Sequence, residues 1–104
     1  MNAAERDITI RMCREHNASM VGIFGSTARG KDSKGSDIDI LVRFAKPVSL
    51  LSLVRLERDL SQTLARKVDL LTESAISPYL RDRILKELLV IHGKRRFRLS
   101  PARP

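Results

Sequence analysis

The chain has few residues that staple or ligate. It has a single cysteine, Cys13, in 104 residues, which excludes an internal disulfide framework and agrees with a reducing compartment. No His–Asn pattern accompanies Cys13, and it lies beside Ala4, Ile8 and Met12, which recur every four residues. It therefore reads as a small core hydrophobe rather than a nucleophile. The two histidines, His16 and His92, lack companions at ligand spacing, which argues against zinc. No stretch approaches the roughly 18 apolar residues of a membrane span, and the N-terminus, with Glu5, Arg6 and Asp7, lacks an apolar signal core. A soluble, cytoplasmic protein is expected. The length suits one domain with a modest core and leaves no room for a second substrate-binding lobe.

Acidic residues are missing from the C-terminal end. Lys94, Arg95, Arg96, Arg98 and Arg103 supply five of the eight net positive charges, with no acid among them. The expected division is a folded domain over residues 1–93 and a basic, mobile tail over 94–104. The tail offers either plain solubility or a contact with nucleic acid or an acidic surface, and Phe97 is its one aromatic for base stacking.

Periodicity predicts an amphipathic helix over residues 3–16, a turn at Asn17-Ala18-Ser19 and a strand over 20–24. A short helical turn over 27–30 and a polar loop over 31–35 lead to a strand over 37–44. Next comes a helix over 50–66, capped by Ser49 and carrying Leu53, Leu56, Leu60 and Leu64 on its core stripe. After a strand over 67–71, Ser77-Pro78 opens a last helix whose expected buried face is Leu80, Ile84, Leu85, Leu88 and Leu89. Tyr79 is expected to be packed or half-exposed. Val90-Ile91-His92 reads as a short edge strand. Alternating strands and helices argue for an α/β (α+β) domain with a single mixed sheet flanked by helices.

The informative segment is Gly25-Ser26-Thr27-Ala28-Arg29-Gly30 followed by Ser36-Asp37-Ile38-Asp39-Ile40-Leu41-Val42. The apolar run Met20–Phe24 ends on Gly25-Ser26, small residues that let backbone N–H groups approach a phosphate. Side chains alternate along a strand, so Asp37, Asp39 and Leu41 share one face while Ile38, Ile40 and Val42 take the other. Two carboxylates on one face repel unless a cation lies between them, and magnesium accepts one or two carboxylates plus substrate phosphates.

An apolar strand, Gly-Ser, a ten-residue spacer and Asp-x-Asp in a second apolar strand together resemble the signature of the DNA polymerase β-like nucleotidyltransferases. The size resembles the minimal nucleotidyltransferase (MNT) group, members of which pair with all-helical HEPN proteins in toxin–antitoxin modules. The resemblance covers about residues 20–93. It implies the polymerase β-like fold, ATP as substrate, two magnesium ions and a third carboxylate on a strand beside the Asp-x-Asp strand. Asp69, in Lys67-Val68-Asp69-Leu70-Leu71, is the candidate for that acid, with Glu73 as the alternative. The expected catalytic and metal-binding set is Asp37, Asp39 and Asp69, with Asp69 also a base for the acceptor proton. Gly25, Ser26 and Arg29 form the expected nucleotide-binding set. Arg29 has two readings, a counter-charge to the triphosphate or a tie to an acid such as Asp32. Lys31 and Lys34 read as solvated charges.

What the resemblance implies is transfer of AMP from ATP to a hydroxyl, a tyrosine on a HEPN ribonuclease toxin, by an antitoxin. The partner is expected beside the Gly25-Ser26 loop, against the 50–66 helix or the tail. The alternatives are a non-catalytic antitoxin that masks its partner, and a nucleic-acid-binding module acting through the tail. Base preference, acceptor residue, number of AMP units and oligomeric state are not legible.

Overall fold

Asn2 starts the fold. Its side chain accepts the Glu5 N–H at 2.7 Å, and the Glu5 carboxylate accepts the Asn2 N–H at 3.0 Å. This reciprocal cap opens helix α1, Ala3–Glu15. The computed structural model describes residues 1–31 and 36–94. The tail from Arg95 onward, with Phe97, and Asp32 and Lys34 of the polar loop lie outside the described residues.

The order continues with β1 (Ala18–Ile23), α2 (Gly25–Ala28), β2 (Ile38–Phe44), α3 (Leu50–Leu64), β3 (Val68–Thr72), a 3-10 turn (Glu73–Ala75), α4 (Pro78–Glu87) and β4 (Leu89–Gly93). The strands lie in the order β3-β2-β1-β4. Strand β1 runs antiparallel to both β2 and β4, while β2 and β3 are parallel, joined by the α3 crossover. This is the single mixed sheet flanked by helices that the alternation of elements implied.

The helices cover both faces. Cys13 of α1 and Leu56, Leu60 and Leu64 of α3 pack with Val21, Ile23, Ile38, Ile40, Val42, Val68 and Leu70 on one face. Ile84 and Leu88 pack with Met20, Phe24, Leu41 and Ile76 on the other. Burial pushes the Cys13 thiol pKa up to about 12, in keeping with a packing role. Leu60 is fully buried, and Leu60→Ala should cost about 2–5 kcal/mol of stability, measured as a lowered urea midpoint. No helix among the described residues is long and apolar enough to cross a membrane.

Several boundaries differ from expectation. Strand β1 begins at Ala18 rather than Met20, because Ala18 already pairs with Phe44 ahead of a bulge. The turn shrinks to Asn17, which takes φ 67°. Helix α2 starts on Gly25 itself rather than Thr27. Helix α3 stops at Leu64, closed by Ala65 in the left-handed conformation. The expected buried face of the last helix holds for Ile84 and Leu88 but fails for Leu80 and Leu89, which are 49% and 52% exposed. The helix ends at Glu87 because Leu88 turns extended to feed β4, which places Leu89 in a strand. Only the C-terminal part of α4 presses on the sheet. Tyr79 in its first turn is 95% exposed, neither packed nor half-exposed.

Candidate nucleotide-transfer site

The parallel pairing of β2 and β3 brings the acids together. Asp39 stands directly opposite Asp69 in the register, and opposed residues on adjacent strands share a face. Asp37 precedes β2 by one residue, two before Asp39 and on the same side. The alternation read from sequence holds along β2: Leu41 joins Met20 and Phe24 on the α4 side, while Ile38, Ile40 and Val42 lie on the α1–α3 side. The acids therefore occupy the N-terminal ends of β2 and β3 on the face away from α3. Strand β1, running the opposite way, ends there and delivers Gly25. Gly25 has φ +61°, and a Cβ on it would fall 2.6 Å from Asp39 Oδ2. Only a residue without a side chain lets the turn lie against that carboxylate.

The electrostatics call for a cation. Burial raises the Asp39 pKa above its ordinary value, and the negative charges of Asp69 and Asp37 push the same way. Arg29 opposes the rise in part, and a hydrogen bond with Asp69 adds to it. Lys67 Nζ approaches Asp37 Oδ2 at 3.9 Å, with both side chains largely in solvent, where such a pair is weak. Among the described residues no three acidic, His or Cys side chains form a ready-made metal cage. Magnesium does not need one, since it keeps waters and substrate phosphates in its coordination shell. A cluster of carboxylates whose charges penalise one another fits that ion.

The loop residues divide by contact. In α2 the N–H groups of Gly25, Ser26 and Thr27 open the helix and have no intrahelical acceptor. Arg29 pairs with Glu87 of α4 at 2.8 Å, so an acid does tie the loop; the Asp32 considered from sequence lies outside the described residues. Glu73 stands beyond the far end of β3, where its carboxylate binds Arg81 at 2.9 Å. The structure sets Asp69, not Glu73, beside Asp39.

Sequence reading passed over two further residues. Arg66 lies two residues past the end of α3, and its side chain is only 7% exposed in its pair with Glu5. It donates to the Ser36 carbonyl from Nε at 3.2 Å and Nη2 at 3.0 Å, anchoring the residue just ahead of Asp37. Thr27 is buried within the loop and touches the backbone of both Asp37 and Asp39. Position in the motif was the one available signal for Thr27. Arg66 had none, because its partners lie 30 and 61 residues away. A hollow of about 810 Å³, lined in part by Phe44, Pro47, Leu53 and Arg81, lies at the opposite ends of β2 and β3, remote from the acids.

A mixed sheet that lifts a glycine-serine turn onto paired carboxylates is an arrangement suited to phosphate chemistry. The family model described as nucleotidyltransferase domain matches residues 6–91, and the chain belongs to that family. It is a nucleotidyltransferase, and the resemblance drawn from the Gly-Ser and Asp-x-Asp motifs is borne out. A Methanocaldococcus jannaschii protein, provisionally named a protein adenylyltransferase, is 46% identical over 87 residues, covering 84% of this chain and 92% of that one. The protein adenylyltransferase MntA of Thermococcus cleftensis is 37% identical over 71 residues, covering 68% of this chain and 72% of its own. Among solved structures, a tri-AMPylated Shewanella oneidensis HEPN toxin in complex with MNT antitoxin aligns with TM-score 0.73 at 22% identity, over 90% of this chain and 74% of that one. At that identity the likeness is one of fold.

Proposed function

We propose that this chain transfers AMP from ATP to a tyrosine hydroxyl of a HEPN-type toxin and thereby silences it. The observation that carries the reading is Asp39, set against Gly25 on one side and opposite Asp69 on the other. Phosphates held at the turn would lie over the carboxylates. The names of the relatives, protein adenylyltransferases, support AMP as the transferred group. The described HEPN–MNT complex supports a HEPN partner.

The acceptor oxygen attacks the α-phosphorus, forming an O–P bond as the bond to the β-phosphate oxygen breaks and pyrophosphate leaves. Asp69 accepts the hydroxyl proton. Gly25 and Ser26 offer backbone N–H groups and a hydroxyl to the phosphates, and Arg29 exchanges Glu87 for the triphosphate. Asp37, Asp39 and Asp69 would hold magnesium, which supplies charge neutralisation at the phosphates and at the attacking oxygen. Helix α3 lies on the opposite face of the sheet from these acids, so the acceptor approaches from the α4 side rather than across α3.

Co-expression with a HEPN-type protein, followed by intact-mass measurement with and without ATP and magnesium, tests the proposal. The partner should gain mass in whole AMP units only when both are present. Neutralisation of the partner without any mass gain would establish masking by contact instead. Fast transfer to free aminoglycosides or nucleotides with no protein partner would replace it with small-molecule adenylylation. Among the described residues no second lobe stands over the acids to orient such an acceptor, and orientation is worth on the order of 7–11 kcal/mol.

A further inference from the structure

Thr27 is a buried polar side chain, 3% exposed, that the transfer chemistry does not use. Its hydroxyl accepts the Asp39 N–H at 3.1 Å and donates to the Asp37 carbonyl at 3.5 Å. The way β1 ends explains why a hydroxyl is needed there. The Phe24 N–H donates to the Asp39 carbonyl at 3.2 Å, and an antiparallel pair would complete the exchange by offering the Phe24 carbonyl to the Asp39 N–H. That carbonyl is instead taken by the Ala28 N–H at 3.3 Å, in the first turn of α2. The chain has to leave the ladder to form the phosphate-facing turn, and the Asp39 N–H would lose its acceptor. Thr27 Oγ1 takes the place of the missing carbonyl and continues the ladder with a side chain.

We propose that Thr27 is a positioning residue that sets the register of the Gly25-Ser26 turn along β2. The triphosphate held by the turn and the cation held by Asp37 and Asp39 then meet at one fixed distance. The inference rests on the nucleotidyl-transfer reading of this site. Both backbone groups that Thr27 grips flank Ile38, whose neighbours in sequence are the two acids. A slide of the turn by one residue would break both bonds at once. The rest of α2 is held by its own helical bonds to Phe24 and Gly25, which fix its shape but not its place against β2.

Valine keeps the branched shape and loses the hydroxyl, whereas serine keeps the hydroxyl and loses the methyl. Three readouts on the full chain separate these roles: amide hydrogen exchange at Asp39 without metal, affinity for a non-hydrolysable ATP analogue with magnesium, and kcat and KM for AMP transfer to the HEPN partner. Thr27→Val should unfold cooperatively like the wild type, while its Asp39 amide exchanges at least about tenfold faster. Its kcat should fall at least about tenfold, with analogue affinity and KM for ATP changed less than about threefold. Thr27→Ser should stay within about threefold of wild type in all three. Unchanged Asp39 exchange in Thr27→Val overturns the proposal, as does a Thr27→Ser variant as slow as Thr27→Val, which would assign the effect to methyl packing. If Thr27→Val does not fold, the serine variant decides: wild-type turnover and Asp39 protection support the role, and loss of either overturns it. The exchange measurement requires no turnover. A wild-type chain that modifies no protein would thus refute the transfer reading while leaving the register claim to be decided by exchange at Asp39.

Discussion

Asp39→Asn should lower AMP transfer by at least about a thousandfold, ~4 kcal/mol of transition-state stabilisation, while leaving the chain folded. The carboxylate stands in register with Asp69 and against Gly25, so its loss removes the charge that would anchor the cation. Stability should move the other way. Burial and the charges of Asp69 and Asp37 raise the folded-state pKa of Asp39, so the folded chain binds this proton more tightly than the unfolded chain does. The contribution to stability is complete below the ordinary carboxylate pKa and is lost as pH rises through the raised value. Ionised Asp39 therefore weakens the metal-free fold at neutral pH. Thermal midpoints in chelator should decline more across that window in the wild type than in Asp39→Asn, where only the opposite contribution of Glu5, whose pKa is lowered by its hydrogen bond to the Asn2 backbone, remains among the shifted acids. Magnesium should lift the wild-type midpoint at pH 7 and leave the variant's unmoved. An Asp37→Ala, Asp39→Ala double variant that still transfers AMP at the wild-type rate would dismiss the metal-site assignment.

Gly25→Ala should cost about a hundredfold in kcat, the scale on which a displacement near 1 Å acts at a reacting centre. Two effects coincide at this residue. The backbone is left-handed, φ +61°, which penalises a side chain by roughly 1–2 kcal/mol. The added methyl would also stand 2.6 Å from Asp39 Oδ2, so the carboxylate must swing off its position opposite Asp69. Gly30 provides the control. It too has a positive φ, +70°, but nothing lies within 4 Å of a Cβ placed there, so Gly30→Ala bears the backbone penalty without touching the acids. Single-turnover transfer should separate the two, with Gly25→Ala losing chemistry and Gly30→Ala mainly stability. Equal losses of rate in both would place the cause in backbone strain rather than in contact with Asp39.

Much of this site is legible in one dimension because strand geometry is local. Once Ile38, Ile40 and Val42 are assigned to the core, Asp37 and Asp39 must face the other way. The same rule turns Asp69 away from Val68 and Leu70. Ser49, and Ser77 with Pro78, mark helix starts because a cap is satisfied within three residues. Gly-Ser after an apolar run marks the turn for the same reason. Each of these inferences needs only neighbours in the chain.

Other features depended on which segments became neighbours in space. That Asp69 rather than Glu73 stands beside Asp39 follows from the parallel register of β2 and β3, set where the α3 crossover packs and not by either strand alone. Arg29 found Glu87, 58 residues on, and Arg66 sank to grip Ser36 and Glu5. Thr27 turned inward because the Phe24 carbonyl had been drawn into α2. Leu80, expected on the buried face of the last helix, and Tyr79, expected packed or half-exposed, both remain exposed, since that helix meets the sheet only near its C-terminal end. The sequence by itself determined which side chains share a face and where the turn and acids lie along the chain, because alternation and capping act over a few residues. The tertiary structure alone decided which acid stands opposite Asp39 and which partners Arg29, Arg66 and Thr27 meet, because those contacts join residues distant in sequence that only packing brings together.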